Sequence, residues 1–365
     1  MVSSQYSYLM KTHQNLAKSA STAFVWNHVL FGASTVLTGL ASWLIAAFLG
    51  PERYGIYTAT LAFVALTTLV ISFGYEGALN VYLARLRKDS QRTRFLVRHM
   101  FLRRTALVLL ICGLAYVLSF VWGYRWIPGL GVVGRYFPLA LACGGLSLIA
   151  GLFVRILETL FRIKPLAIIR LTRLTGALVA YAIVLLLGFE IEGILWVLLV
   201  SSAVALGLFI YSCRDLLVGS SEIFPTGEIY RFGRTVWASD LVSSFLGKNI
   251  DIVVMSLYGV AVSHIGFYSI VFMLVHYTRL MANRGLTGVL QSAFSSAYHE
   301  GGASSLGRWW RLTLKFQILV ASPGVVLLVV SAPEVFTVLL PDYAEATVML
   351  QTFGGLMFAT TLIGG

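Results

Sequence analysis

Apolar runs long enough to cross a bilayer follow one another along nearly the whole chain, parted by short polar stretches. They fall at roughly 24–49, 55–80, 105–122, 136–157, 166–187, 193–212, 236–258, 266–290, 313–332 and 344–363. Each is close to the ~20 residues that a helix needs to span hydrocarbon. Lipid offers the backbone no hydrogen bonds, and a helix satisfies its own. The pattern predicts an all-α integral membrane protein of about ten transmembrane helices. The first run starts near Phe24, too long for the core of a secretory signal, and leads into a second span.

The polar punctuation repeats. Between the first two runs lies Leu49-Gly50-Pro51-Glu52-Arg53-Tyr54-Gly55-Ile56-Tyr57, and the second run closes with Gly74-Tyr75-Glu76-Gly77-Ala78-Leu79-Asn80. At a constant offset of 211 residues, Gly266-Phe267-Tyr268 answers Gly55-Ile56-Tyr57, and Gly285 through Gln291 answers Gly74 through Asn80. Apolar composition alone does not fix glycine and tyrosine positions. Two helical hairpins of one plan and one orientation predict two parallel-repeat bundles facing each other across a central cavity. The expected organisation is a polar tail at 1–22, a six-helix bundle at 23–212, a polar linker at 213–235 and a second bundle at 236–365. The linker contains Gly219-Ser220-Ser221, Pro225 and Gly227. Six spans precede it and four follow, so the repeat predicts a chain that is a piece of a longer protein.

Charge gives the orientation. Only 12% of the residues are charged, about half the usual share, yet the net charge is +12. With the tail in the cytoplasm, Lys and Arg crowd the cytoplasmic loops, and the opposite side holds Arg53, Arg125 and Arg135. Such a bias is the positive-inside rule, and it predicts a multi-pass protein of the cell membrane with a cytoplasmic N-terminus. It also argues against nucleic acid as the partner of the basic residues. The densest group, Arg85 through Arg104, is read as topology or as a surface for anionic headgroups or an anionic substrate.

Charges inside spans are costly and usually face a cavity or a partner. Thr68, Ser72, Glu76 and Asn80 fall at i, i+4 spacing, a polar stripe on one helix face. Glu76 is read either as an ion-coupling carboxylate or as a group solvated near the helix end. In the seventh run Lys248 and Asp251 stand at i, i+3, with Asp240 on nearly the same face. They suit a charged cavity patch or a structural pair. The eighth run holds His276, Arg279 and Asn283 on one face and Arg284 on another. A fixed cation beside water suits a phosphate or an acidic sugar, although Lys and Arg also snorkel to the interface. The candidate substrate cations are therefore Lys248, Arg279 and Arg284, and the candidate coupling or cavity groups are Glu76, Asp251, Asp240, Asn80 and Asn283. Cys112, Cys143 and Cys213 form neither a disulfide framework nor, with the histidines, a metal-ligand spacing. No nucleophile set or extended outer loop for an enzyme is visible, so no cofactor is expected beyond proton or sodium coupling.

The stretch from Phe48 to Tyr57, with the second helix ending Phe73-Gly74-Tyr75-Glu76-Gly77-Ala78-Leu79, resembles the opening hairpin of the polysaccharide transporter family. These are the Wzx-type flippases of the superfamily that also holds the multidrug and toxic-compound exporters. Arg231-Phe232-Gly233, Asp251 and Gly266-Phe267-Tyr268 look like the start of that family's second half, and Leu340-Pro341-Asp342-Tyr343-Ala344-Glu345-Ala346 resembles its turn before the tenth helix. The resemblance implies translocation of a lipid-linked oligosaccharide, on a polyprenyl pyrophosphate, from the cytoplasmic to the outer leaflet by alternating access. Membrane lipids and other polysaccharide-assembly membrane proteins are the partners it implies. The alternatives are an organic-cation exporter of the same superfamily and an inactive remnant.

Overall fold

The computed structural model describes residues 2–86, 89–122, 131–218, 225–245, 247–278 and 322–364, with a few isolated positions between 307 and 319. Every regular element among the described residues is helical. Helix α1 runs Val2–Ser72, α2 Tyr75–Leu86, α3 Ser90–Trp122, α4 Gly131–Thr159, α5 Ile163–Leu186 and α6 Ile191–Ser212. The short α7, Arg214–Leu217, precedes α8, Gly227–Ser244, and α9, Lys248–Leu257. Then come α10, Val262–Thr278, α11, Ser322–Val330, α12, Ala332–Leu339, a 3₁₀ turn at Pro341–Ala346 and α13, Thr347–Gly364.

Five of these helices are long and apolar enough to cross a membrane, six if the bent pair α11 and α12 is one span. The first of the five, Leu30–Ser72, contains two runs. It leaves helical geometry at Gly50 (φ 67°, ψ 172°), and Pro51 follows. A positive φ suits a residue without Cβ, and proline at the first position of the new helix gives up an N–H that has no partner there anyway. Of the expected eighth span the structure describes the first half, within α10 to Thr278, and of the ninth mainly the part from Ser322 onward, as α11. The expected seventh is interrupted: α8 ends at Ser244 and α9 begins at Lys248, after Gly247 in extended geometry.

The chain forms two compact units, one of Met1–Ala41 and Ala59–Gly259, the other of Ser42–Thr58 and Val260–Gly365. The apex of the first hairpin thus groups with the C-terminal stretch.

In the first unit, α2 to α6 enclose an apolar core that includes Leu83, Met100, Phe153, Leu157, Leu166 and Phe209. Arg135 and Glu192, 3.9 Å apart, tie the first turns of α4 and α6. Beyond the other ends of these helices, the Arg162 guanidinium makes two parallel bonds to Asp215, of 3.0 and 2.6 Å. Helices α4 and α6 therefore run the same way and pack on each other, while α5, which connects them, returns in the opposite direction against α6. The same bonds hold the Asp215 carboxyl below its ordinary value.

In the second unit, the apex packs on α10 through reciprocal backbone approaches. A methyl group on Gly55 would lie 1.9 Å from the Val262 carbonyl oxygen, and one on Gly266 would lie 2.1 Å from that of Pro51. Gly55 and Gly266, and likewise Pro51 and Val262, are repeat equivalents. Between them the Ser269 hydroxyl donates to the Thr58 hydroxyl at 3.0 Å, again 211 residues apart. The two copies of the motif meet about a local two-fold axis, with equivalent side chains facing across it. Tyr343, in the 3₁₀ turn, is fully buried and donates to the Ala46 carbonyl at 3.1 Å. Its ring stands edge-on to those of Tyr54 and Phe267. The Trp43 indole N–H reaches the Leu339 carbonyl at 3.3 Å.

Candidate functional site

The charged cluster of the first unit is built around a second helix break. Between α1 and α2 the backbone turns through Phe73 (φ 47°) and Gly74 (φ 65°). A positive φ at a phenylalanine is rare, and such geometry persists only where its surroundings enforce it. Helix α8 lies against the break: Phe73 stacks on Trp237 at 5.4 Å, and a methyl group on Gly74 would sit 2.0 Å from the Gly233 carbonyl oxygen. In an unbroken helix the Leu69 and Ser72 carbonyls would receive the N–H groups of Phe73 and Glu76. Here the Trp237 indole N–H donates to Leu69 at 3.1 Å, and Arg104 of α3 donates to Ser72. Each freed carbonyl thereby meets a side-chain donor, as a buried backbone group requires.

Arg104 is fully buried, and its other terminal nitrogen lies 3.4 Å from Glu76 in the first turn of α2. A carboxylate there also faces the positive end of the helix dipole. Arg155 of α4 approaches the second Glu76 oxygen at 3.9 Å and bonds Glu158 at 3.0 Å. Gly151 makes room for this arrangement, since a methyl group on it would lie 2.6 Å from a Glu76 oxygen. One turn earlier on α4, Ser147 lines a cavity of about 290 Å³ with Thr68 of α1 and Cys143.

Two tyrosines edge the cluster. Tyr75 and Tyr230 meet edge to face at 5.8 Å. The Arg104 guanidinium lies 5.4 Å from the Tyr75 ring centre, and that of Arg103 lies 4.6 Å from the centre of Tyr230. His99 is edge-on to Tyr230 at 6.2 Å. Three guanidiniums thus stand with two carboxylates and two aromatic rings. Aromatic faces attract cations, and planar guanidiniums suit phosphate and carboxylate groups.

The polar stripe expected along one helix is divided by the break. Thr68 bonds its own helix at Ala65, Glu76 meets the arginines, and the exposed Asn80 accepts from Thr159 of α4 at 3.3 Å. Asp240 is exposed on α8 and Asp251 exposed on α9, while Lys248, half-buried, opens α9. Because α8 ends at Ser244 and α9 begins at Lys248, Asp240 and the other two do not share one continuous helix face. Arg279, Asn283 and Arg284 lie outside the described residues. Nothing in the sequence marks Tyr230 or Trp237 as site residues, and there Arg104 is one of a basic group. The one available signal was an arginine pair at the mouth of an apolar run.

The chain is similar in fold to an inward-facing structure of a multidrug resistance MATE family transporter of the MOP superfamily, at 16% identity over 90% of this chain and 80% of that one, with a TM-score of 0.68. An outward-facing structure of such a transporter gives 16% identity, 93% and 79% coverage and a TM-score of 0.61. A MATE structure in the straight conformation gives 17%, 95% and 82%, with 0.56. No curated relative matches the chain significantly. The profile of the family described as polysaccharide biosynthesis protein matches residues 44–347, a stretch that holds both copies of the Gly-x-Tyr motif, the Glu76 cluster and the Tyr343 turn. The chain is a multi-pass membrane protein with the fold of MOP superfamily transporters, and it belongs to the polysaccharide biosynthesis protein family.

Proposed function

We propose that this protein is a flippase that moves a lipid-linked oligosaccharide from the cytoplasmic to the outer leaflet by alternating access, for cell-surface polysaccharide assembly. The observation that carries this reading is the set of Arg103, Arg104 and Arg155 around Tyr75, Tyr230 and Glu76. Guanidiniums outnumber carboxylates there, which suits a pyrophosphate, and tyrosine rings offer apolar faces for sugar rings to lie on. A site for organic cations would need the opposite balance. Family membership in polysaccharide biosynthesis supports the same substrate class. Arg104 is buried in the helix break, whereas Arg103 is exposed over Tyr230 and Arg155 half-exposed beside Glu158, so these two are the cations that substrate would engage, exchanging their present partners. Lys248, Arg279 and Arg284 are further candidates for the head group, and Glu76 or Asp251 for coupling to a proton or sodium ion.

The test is the leaflet that holds lipid-linked oligosaccharide in a strain lacking the gene, read with a membrane-impermeant sugar-modifying reagent. Substrate should collect on the cytoplasmic leaflet, and the protein should reverse this. Arg103→Gln with Arg155→Gln should slow the reversal while the protein level holds. An unchanged leaflet distribution without the gene would overturn the reading.

A further inference from the structure

On the surface of the first unit, α5 and α6 diverge to leave a groove of about 610 Å³. Its walls are apolar, with Val184, Trp196, Val200 and Val204 along them. Trp196, Val200 and Val204 are each more than half exposed. Gly176 and Ala180 supply the width, and a side chain on Gly176 would meet open space. The groove belongs to two membrane-crossing helices, so hydrocarbon surrounds it.

One charged side chain lines it, and that residue is Arg173. Arg173 lies about 15 Å along α5 from Ile163. Its Nε is buried with no hydrogen-bond partner among the described residues. The groove has no carboxylate among its lining residues, and Arg170 stands one turn away, close enough to repel it. A cation at this depth is costly unless an anion or water meets it. An apolar trough with an under-satisfied guanidinium near the end that Ile169 and Leu208 line is complementary to an amphipathic anion.

We propose that the groove binds an anionic phospholipid of the surrounding bilayer. Its phosphate lies on the Arg173 guanidinium, and an acyl chain runs between α5 and α6 past Gly176 and Ala180 toward Trp196. The planar guanidinium fits two phosphate oxygens, which gives the site a preference for phosphate that has no neighbouring choline cation. This site is separate from the Glu76 cluster, and the inference stands whether or not the protein moves an oligosaccharide.

Trp196 in the groove wall provides the readout. The full chain is placed in phosphatidylcholine vesicles containing either brominated phosphatidylglycerol or brominated phosphatidylcholine, and the fluorescence lost in Trp196→Phe defines the Trp196 signal. Half-quenching of that signal should need about fivefold less brominated phosphatidylglycerol than phosphatidylcholine, the advantage of roughly one basic residue against anionic lipid. Arg173→Gln should abolish the preference and leave quenching by phosphatidylcholine intact. Gly176→Leu fills the groove with the cation in place and should abolish it as well. Equal quenching by the two lipids in the wild type would reduce the groove to ordinary lipid contact and overturn the proposal. A preference that survives Arg173→Gln would also overturn it. So would a Trp196 signal that neither lipid quenches, since the groove would then be covered by protein.

Discussion

The second arm of the hairpin that organises this chain, residues 51–72, is bounded by a break at each end, and the two breaks are stabilised by different means. At Gly50 the chain turns through an apex whose partner is its own repeat: Gly55 against Val262, Gly266 against Pro51, Thr58 against Ser269. Nothing ionic enters those three approaches, which depend on shape and one hydroxyl pair. At Phe73 and Gly74 the neighbours are unrelated by the repeat. An arginine and a tryptophan donate to freed carbonyls, and a carboxylate lies beside the arginine. A contact between two copies of one motif needs only that each copy stay small where the other presents a carbonyl. A break with unlike neighbours needs specific donors, and these bring charge into a membrane protein's interior, where a substrate can use it.

If the second break rests on charge, removing Arg104 should have the largest effect. Arg104→Met leaves the Ser72 carbonyl without this donor and deprives Glu76 of one of its two arginines. Loss of one member of a fully buried ion pair costs about 3–5 kcal/mol, and because Glu76 is 35% exposed the loss here should fall at the lower end of that range. Chemical unfolding in detergent should show a loss of that order. Adding Glu76→Gln should recover part of it, since the stranded carboxylate is then gone, and the cycle of the four proteins measures the coupling. Equal losses in Arg104→Met with and without Glu76→Gln would show that the arginine acts on Ser72 alone.

The apex should fail differently. Gly55→Ala and Gly266→Ala each push a methyl group into a carbonyl oxygen, and overpacking of this kind typically costs about 1–3 kcal/mol. One small separation of the apex from α10 relieves both clashes. The double variant should therefore lose clearly less than the sum of the single losses, as read from unfolding midpoints. Gly113→Ala is the control: its methyl group meets open space within a helix, so it should be neutral or mildly stabilising. Additive losses at the two glycines would contradict the reciprocal contact.

This contrast also explains what could be read in the sequence. The all-α membrane fold follows from the apolar runs, because lipid forces helices, and the family is legible as a resemblance carried by stretches such as Phe48–Tyr57 and Leu340–Ala346. That the two copies touch each other was not legible. Offset alone does not distinguish related halves from contacting ones, and Thr58 with Ser269 drew no notice. Thr68, Ser72, Glu76 and Asn80 pointed to an unbroken polar face because their spacing assumes a straight helix. Phe73 gives no local sign of a left-handed conformation; α8 enforces it from more than 150 residues away. Arg104 was hidden among other basic residues whose bias toward one side is explained by topology. Side chains acquire such roles only through partners on other helices, and hydrophobic periodicity does not record these.

Trp237→Phe tests the weaker support of the second break. Phenylalanine keeps a ring to stack on Phe73 and loses the bond to the Leu69 carbonyl. The expected loss is about 1 kcal/mol, the net worth of one hydrogen bond. Trp237→Leu should lose more, because the stacked ring goes as well. A Phe variant as damaged as the Leu variant would make the indole N–H the dominant contact.

The smallest effect should come from the exposed counterpart of the Arg104 pair, Arg162 with Asp215. Their side chains are 39% and 46% exposed, and the geometry is bidentate. The Arg162 bonds hold the Asp215 carboxyl below its ordinary value of 3.8. A carboxylate whose folded value is depressed contributes stability above its unfolded value and loses it as pH falls through the folded one. The melting difference between wild type and Asp215→Asn should thus be constant from neutral pH down to about pH 5 and shrink toward zero below 3.8. Surface pairs contribute no more than about 1 kcal/mol, and salt screens them. Raising ionic strength should erase the Asp215→Asn difference at neutral pH while leaving the Arg104→Met loss nearly unchanged. If salt weakens both alike, Arg104 is reached by solvent, and the break is not held by a buried charge.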